Sequence, residues 1–200
     1  MPPTLLSLQS LHLSHPGVTV FAGLTAGLPA GVGLVCGDEG TGKTSLLRLL
    51  AGELAPSAGQ LLWDGRPLTH QDVAWFDPGD PRHDALPVRE LLPALAGPVA
   101  PALLEGLGLT PHLDKPLFQL STGSRRKVFL AAALARPARL TLLDQPFMAL
   151  DRPSVNFLCE CFQAWVGASD RLLLLADYQP PEGVPLAGTL DLDRALDRGR

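Results

Sequence analysis

A glycine-rich segment at residues 37–44 carries the clearest chemical signal in this sequence. Its residues are Gly-Asp-Glu-Gly-Thr-Gly-Lys-Thr, which match the pattern G-x-x-x-x-G-K-T. The glycines let backbone N–H groups turn inwards around phosphate oxygens, Lys43 adds a positive charge, and the Thr44 hydroxyl is a ligand for Mg²⁺. We therefore expect a phosphate-binding loop that comprises Gly37, Asp38, Glu39, Gly40, Thr41, Gly42, Lys43, Thr44 and Ser45.

The segments on either side of this loop have the pattern that such a loop requires. The apolar run 31–35 predicts a short buried strand, and leucines recur on one face of a helix predicted over Thr44–Leu54. The N-terminus of that helix would point its positive dipole at the bound phosphates. Strands and helices continue to alternate along the chain, with apolar runs at 140–143 and 172–175, and this predicts an α/β fold with a parallel sheet covered on both faces.

Two further motifs follow in order along the chain. An apolar strand ends in Asp144, which is the position of a Mg²⁺-organising aspartate in P-loop enzymes. Before it, Leu-Ser-Thr-Gly-Ser at 120–124 opens a helix predicted over Ser121–Ala135. Taken alone, this could be an ordinary helix start with Ser121 as its N-cap. After the strand comes Ala-Leu-Asp at 149–151.

These motifs, in this order, resemble those of the nucleotide-binding subunit of ABC transporters. In that family 37–44 would be Walker A, 120–124 the signature, 140–144 Walker B and 149–151 the D-loop. The resemblance covers nearly the whole chain, including 51–59 after the phosphate-loop helix. The compact length and the strings Leu-Asp-Gln-Pro-Phe-Met-Ala-Leu-Asp and Tyr-Gln-Pro are most similar to the haem-exporter (cytochrome c biogenesis) ATPase.

The resemblance implies a P-loop NTPase fold, with a RecA-like parallel-sheet core, a small antiparallel β subdomain and an inserted helical subdomain. Residues 1–200 would form one ABC ATPase domain, with its core at about 1–77 and 136–200 and the helical subdomain at about 78–135, where prolines recur. The helical subdomain would dock on a transmembrane permease subunit. The implied function is to couple ATP binding, and hydrolysis, to movement of this membrane partner, as in an exporter.

The resemblance also implies a head-to-tail dimer of two ATPase subunits, identical or different, with two ATP molecules and Mg²⁺ in the interface. Each ATP would lie between Walker A of one chain and the signature of the other. Ser121 and the backbone N–H of Gly123 would there meet the γ-phosphate, as a helix N-terminus binds an anion. An aromatic residue normally stacks on adenine in this family; His15 is the candidate here, and it is equally well explained as a surface turn histidine.

Three positions depart from the family's pattern, and all three concern the water that attacks the γ-phosphate. Gln145 stands where the family has a glutamate that acts as general base, and an amide can orient a water but cannot take its proton. Tyr178, or Asp177 if the alignment slips by one residue, replaces the switch histidine. Asp77 replaces a glutamine that senses Mg²⁺ and water. The expected catalytic residues are thus Lys43, Asp144, Gln145 and Tyr178, and the expected Mg²⁺ ligands are Thr44, Asp144 and Asp77.

The sequence keeps the elements that bind nucleotide and alters those that hydrolyse it. We therefore predict ATP and Mg²⁺ binding with slow or absent turnover, since a general base contributes about 10²–10⁴-fold in rate. Gln145 alone would also fit an engineered trap, but the other two departures favour natural degeneracy. Two alternatives stay open: a nucleotide-binding module without useful ATPase activity, and the silent half of a heterodimeric ATPase, whose signature would complete an intact partner's site.

Composition, length and charge exclude several other classes of protein. The formal net charge of −4 does not favour a nucleic-acid-binding face, and 200 residues leave no room for the coiled-coil insertion or tandem domains of ABC-type ATPases that act on DNA or ribosomes. Glycines and Pro29 divide the uncharged first 37 residues into pieces too short to span a bilayer. We expect a cytoplasmic protein, held at the membrane by its permease and not inserted. A charged C-terminal end is expected to be solvated: Asp191, Asp193, Arg194, Asp197, Arg198 and Arg200.

Overall fold

The computed structural model describes residues 3–15 and 17–197, which form two β-sheets with α-helices around them. The antiparallel sheet comprises β1 (Thr4–His15), β2 (Val18–Pro29), β4 (Ala58–Trp63) and β5 (Arg66–Pro67). The parallel sheet comprises β3 (Gly31–Cys36), β6 (Val73–Ala74), β7 (Leu140–Asp144), β8 (Leu172–Ala176) and β9 (Gly188–Asp191). The strand orders are β2-β1-β4-β5 and β6-β7-β8-β3-β9.

The helices lie between and around these sheets. They are α1 (Lys43–Leu50), α2 (Val88–Ala96), α3 (Pro101–Gly106), α4 (Thr122–Ala135), α5 (Arg152–Gln163) and α6 (Leu192–Asp197). Short 3₁₀ turns occur at His70–Asp72, Pro81–His83, Thr110–His112 and Leu117–Gln119. Within the described residues, no helix is both long enough and apolar enough to cross a membrane.

The parallel sheet carries an apolar core on each of its faces. On one face its side chains pack with α1 and the antiparallel sheet, and on the other with α2, α4 and α5. Every residue of β8 is buried, as expected for a central strand that is covered from both sides. This double coverage is the physical reason why these strands are continuous leucine and valine runs instead of alternating apolar and polar residues.

The carboxyl ends of the parallel strands meet at one edge of the sheet. Asp144 at the end of β7 lies beside Ala176 of β8, and Cys36 at the end of β3 lies beside Asp191 of β9. The chain leaves β3 at this edge, passes through the glycine-rich loop and enters α1. Ligands of open α/β sheets bind at this edge.

Helix α1 is shorter than the leucine pattern predicts. It ends at Leu50 instead of Leu54, because Gly52 adopts a left-handed conformation with φ of +73°. The N–H of Glu53 then donates to the Arg48 carbonyl at 2.9 Å, which closes the helix end. The regular spacing of leucines continues beyond Gly52, so the spacing alone predicts a helix that is too long at its C-terminal end.

The C-terminal end differs from the predicted solvated segment. Gly188–Asp191 forms the edge strand β9 on β3, and Leu192 at the start of α6 is fully buried. The carboxylate of Asp193 points at the glycine-rich loop, as described below. Arg198 and Arg200, and the side chain of Asp197, lie outside the described part of the chain. The prediction of a solvated tail was therefore wrong for Asp193, because β9 brings this segment against the loop.

Candidate nucleotide-binding site

The glycine-rich loop is shaped by backbone conformations that favour glycine. Gly40 and Gly42 have φ of +80° and +96°. A Cβ on Gly42 would lie 2.6 Å from Cγ1 of Val20, so this position also has no room for a side chain. The loop therefore packs closely on β2 at Gly42, and at Gly40 and Gly42 it presents backbone without side chains.

Lys43 is buried, with 7% of its surface exposed, and its ammonium folds back over the loop. Its Nζ donates to the carbonyl oxygens of Gly37 at 2.6 Å and Asp38 at 2.8 Å. The ring of Tyr178 covers the same ammonium, with Nζ 4.2 Å from the ring centroid. The lysine charge is thus held at the loop by carbonyls on one side and an aromatic face on the other.

Thr44 and Asp144 meet across a separation of 100 residues. The Thr44 hydroxyl donates to Oδ2 of Asp144 at 2.6 Å. The other carboxylate oxygen, Oδ1, is buried and has no hydrogen-bond partner among the described residues. Burial raises the pKa of the Asp144 carboxyl, because it disfavours the charged form. The Thr44 hydroxyl and the Asp144 carboxylate, one oxygen of which is buried without a partner among the described residues, form a donor set that suits Mg²⁺ and its waters.

Gln145 and Tyr178 both lie at this strand edge. Gln145 adopts a left-handed conformation with φ of +45°, and its N–H donates to the Ala176 carbonyl at 2.8 Å. Tyr178 is 50% exposed and is the residue over Lys43. Its neighbour Asp177 is half-buried, and Oδ1 of Asp177 accepts the N–H of Tyr178 at 2.8 Å. Burial raises the pKa of the Asp177 carboxyl.

Asp77 does not turn towards Thr44 and Asp144. Its Oδ1 accepts the N–H of Gly79 at 2.7 Å, and its Oδ2 lies 3.6 Å from Nη2 of Arg48 on α1. A role as a Mg²⁺ ligand would require this carboxylate to leave both partners. The family-based placement of Asp77 therefore stays a prediction.

The signature residues lie at the start of α4. Ser121 is the N-cap: its Oγ accepts the N–H of Ser124 at 3.1 Å and donates to Oγ of Ser124 at 3.0 Å. A Cβ on Gly123 would lie 2.5 Å from the carbonyl oxygen of Ala149, so the helix start packs directly on the D-loop backbone. Both hydrogen bonds of the Ser121 side chain in the described structure stay within the first turn of its own helix.

Two residues outside the sequence-based site contact it. Oδ2 of Asp193 accepts the N–H of Asp38 at 2.9 Å, and Nη2 of Arg126 donates to the Asp144 carbonyl at 2.9 Å. Burial lowers the pKa of Arg126. Arg126 follows the signature within α4, so the motif could have pointed to it, whereas no local pattern marks Asp193. His15, the candidate for stacking on adenine, lies exposed at the end of β1.

Comparison with known proteins defines the class. The family model "ABC transporter" matches residues 28–148, which is more than half of the chain and includes the glycine-rich loop, the signature and Asp144. The chain belongs to this family and is an ATP-binding subunit of the ABC transporter class, as the motifs predict. The predicted P-loop fold, with its parallel and antiparallel sheets, is confirmed as well.

Two similar proteins indicate which members of the family this chain resembles. The chain is 33% identical to "Cytochrome c biogenesis ATP-binding export protein CcmA 2" of Salmonella paratyphi A over 202 aligned positions, which cover 96% of each protein. It is 37% identical to the CcmA protein of Escherichia coli K12 over 195 positions, which cover 88% of this chain and 90% of the relative. The predicted similarity to the cytochrome c biogenesis ATPase is thereby confirmed.

Solved structures agree on the fold. An ATP-binding subunit of an ABC transporter superposes with a TM-score of 0.75 at 21% identity, over 86% of this chain and 79% of that one. An ABC transporter ATP-binding protein from Pyrococcus furiosus superposes with a TM-score of 0.74 at 22% identity, over 94% of this chain and 98% of that one.

Proposed function

We propose that this chain binds Mg²⁺-ATP and drives an export step of the kind named for its CcmA relatives, through a transmembrane permease subunit at the cytoplasmic face of the membrane. The CcmA-like length and identity support this assignment. In this proposal 1–200 act as one ATPase domain, and the helical segment at about 78–135 makes the contact with the permease. The nucleotide site lies at the carboxyl edge of the parallel sheet.

The observation that carries the proposal is the pairing of Thr44 with Asp144. The 2.6 Å hydrogen bond places a hydroxyl and a carboxylate at the end of a loop whose glycines expose backbone. The second carboxylate oxygen, with no partner among the described residues, leaves a buried acceptor for a metal-bound water. Mg²⁺ would supply charge neutralisation at the β- and γ-phosphates, and Lys43 would exchange its loop carbonyls for phosphate oxygens.

The second half of the site comes from another ATPase subunit. Ser121 caps α4 in this chain, and its hydroxyl and the Gly123 N–H lie at an exposed helix start. In a head-to-tail dimer this helix start would meet the γ-phosphate held by the partner's glycine-rich loop. The Ser121–Ser124 hydrogen bonds fix the serine orientation before the dimer forms.

Hydrolysis at this chain's own site is slow in our proposal. Gln145 carries an amide where a carboxylate would accept the proton of the attacking water, and Tyr178 covers Lys43 where the family has a histidine. An amide can hold a water by hydrogen bonds but has no basic site near neutral pH. We therefore expect nucleotide binding of ordinary strength with a reduced turnover number.

The test compares the wild-type chain with Gln145→Glu in its complex with the permease. We expect both proteins to bind Mg²⁺-ATP in calorimetric titrations, and Gln145→Glu to hydrolyse it about 10²-fold faster or more, because a carboxylate restores the base. Lys43→Ala is the matched control and should lose nucleotide binding. Equal turnover of the wild type and Gln145→Glu would show that Gln145 does not limit hydrolysis, and absence of titratable binding by the wild type would overturn the proposed function.

A second candidate function is the silent half of a heterodimeric ATPase. The substitutions at Asp77, Gln145 and Tyr178 all concern this chain's own site, whereas the Ser121 cap and the Gly123 contact at the signature are intact. Such a chain could complete the hydrolytic site of a different ATPase subunit while its own site holds ATP as a structural ligand.

A further inference from the structure

We propose that Asp193, near the C-terminal end, is a positioning residue for the glycine-rich loop and for the nucleotide that the loop binds. This inference rests on the proposed function only for the identity of the ligand. The contact itself lies within the chain: Oδ2 of Asp193 accepts the N–H of Asp38 at 2.9 Å, across 155 residues of sequence.

The contact follows from the way β9 pairs with β3. The two strands run parallel, with Cys36 beside Asp191 at their carboxyl ends. Beyond this pair, β3 turns into the loop at Gly37 and β9 turns into α6 at Leu192. Gly37 has φ of +147°, and a Cβ there would lie 3.4 Å from Cβ of Leu192 and 3.3 Å from Oδ2 of Asp193. The start of α6 is thus packed against the first glycine of the loop.

Asp38 joins two peptide units of the loop, and both of them are hydrogen-bonded. Its carbonyl oxygen accepts the Thr41 hydroxyl at 2.9 Å and Nζ of Lys43 at 2.8 Å. Its N–H is held from outside the loop by Asp193. The N–H of Asp38 and the carbonyl of Gly37 belong to one planar peptide unit, so the carboxylate of Asp193 orients the plane whose carbonyl oxygen accepts Nζ of Lys43 at 2.6 Å.

Nucleotide binding makes this anchor more important. If Lys43 exchanged the Gly37 and Asp38 carbonyls for phosphate oxygens, the loop would lose two of its internal hydrogen bonds. The bond from the Asp38 N–H to Asp193 does not involve Lys43, so it would remain to hold the loop.

The test uses Asp193→Ala and Asp193→Asn, with Arg194→Ala as a control on the same helix. Arg194 is exposed and forms its described ion pair with Asp191, at 3.2 Å between Nε and Oδ2. Because Asn keeps an oxygen acceptor at the same place, Asp193→Asn should behave like the wild type within about twofold. Asp193→Ala removes the hydrogen bond itself, which is worth about five- to tenfold in an equilibrium constant.

Two measurements are made on the full chain. Hydrogen exchange of the 37–43 amides without nucleotide should be about tenfold faster in Asp193→Ala and unchanged in Asp193→Asn and Arg194→Ala. The Kd for Mg²⁺-ADP should rise about five- to tenfold in Asp193→Ala, while the melting temperature without nucleotide serves to check folding. Asp193→Ser, whose hydroxyl is too short to reach Asp38, gives the same comparison if Asp193→Ala does not fold.

The outcomes separate this inference from the proposed function. Loop exchange and Mg²⁺-ADP affinity of Asp193→Ala equal to those of the wild type would overturn the role of Asp193. A loss in Asp193→Asn as large as in Asp193→Ala would also overturn it, because the carboxylate charge and not the hydrogen bond would then be the cause. If loop exchange responds as expected but the wild type binds no nucleotide, the anchor stands and the proposed function fails.

Discussion

At the scale of single residues, the charged groups of the site are paired with other groups of the chain. The Lys43 ammonium is held by two carbonyls and the Tyr178 ring, and the Asp144 carboxylate by the Thr44 hydroxyl. A phosphate must therefore compete with existing partners for the ammonium. Any contact that the ammonium must give up for a phosphate oxygen weakens the apparent affinity.

The contact between the Tyr178 ring and the Lys43 ammonium is one of these contacts. Replacing Tyr178 with leucine removes the aromatic face, which is worth about 0.5–1 kcal/mol to the ammonium because the ring is half exposed to water. We expect Tyr178→Leu to bind Mg²⁺-ADP about two- to fivefold more tightly, whereas Tyr178→Phe keeps the ring and should match the wild type. Isothermal titration of the three proteins gives the comparison. Weaker binding by Tyr178→Leu would mean that the ring contacts the nucleotide instead of competing with it.

At the scale of elements, α4 is tied to the Walker B strand and the loop after it at several points. Arg126 donates to the Asp144 carbonyl at 2.9 Å, the start of the helix packs on the Ala149 carbonyl at Gly123, and Lys127 forms an ion pair with Asp151. Lys127 is buried, with 9% of its surface exposed. These contacts mean that a movement of the D-loop and a movement of the signature helix cannot occur independently.

The Lys127–Asp151 ion pair predicts a pH dependence of stability. The hydrogen bond from Lys127, and then the N–H of Ser154, hold the pKa of Asp151 well below its ordinary range. A carboxyl whose folded pKa is lowered stabilises the fold above its unfolded pKa of about 3.9, and this stabilisation is lost as the pH falls towards the folded value. Asp151→Asn keeps an N-cap for α5, so it removes the charge and leaves the cap.

We expect Asp151→Asn to lower the free energy of unfolding by about 1 kcal/mol at pH 7, a small value because Asp151 is half exposed. Urea unfolding between pH 7 and pH 3 should show the wild-type advantage shrinking below about pH 4. Glu182→Gln, in the exposed pair with Arg152, is the control and should change little. An advantage that is the same at pH 3 as at pH 7 would contradict the assignment to this pair.

At the scale of the whole molecule, we propose that the two faces of the site belong to different subunits of a dimer. The glycine-rich loop and Asp144 lie at one strand edge of the chain, and the Ser121 cap is directed out of α4. A dimer therefore contains two sites that need not be equal. If the partner carries a glutamate and a histidine at the positions of Gln145 and Tyr178, its loop can use this chain's signature.

The difference between the two ATP sites can be tested by mixing this chain with an ATPase subunit whose own site is intact. We expect the purified chain alone to hydrolyse ATP slowly, and a mixture with the intact ATPase subunit to hydrolyse it at least about 10²-fold faster per site. Ser121→Ala in this chain should lower the activity of the mixture, while Gln145→Ala should leave it nearly unchanged. Full activity of the chain alone would contradict the silent-half interpretation, and so would insensitivity of the mixture to Ser121→Ala.

Much of the fold and of the candidate site could be predicted from local patterns in the sequence. The glycine spacing of the phosphate loop, the apolar run before Asp144 and the helix cap at Ser121 are short-range features, since each depends on backbone conformation or burial within a few residues. These local patterns were sufficient to predict the parallel sheet, helix α4 and the family. The C-terminal end of helix α1 depends on one more local feature, the left-handed conformation of Gly52.

Long-range contacts decided the rest. The pairing of Thr44 with Asp144, the position of Tyr178 over Lys43 and the anchor from Asp193 to Asp38 join residues that are far apart in the chain. Strand order and register bring such residues together, and a charged aspartate in a C-terminal segment has the same local pattern whether it is solvated or holds a loop. Local spacing specifies which groups are present, and packing of the sheet specifies which of them meet.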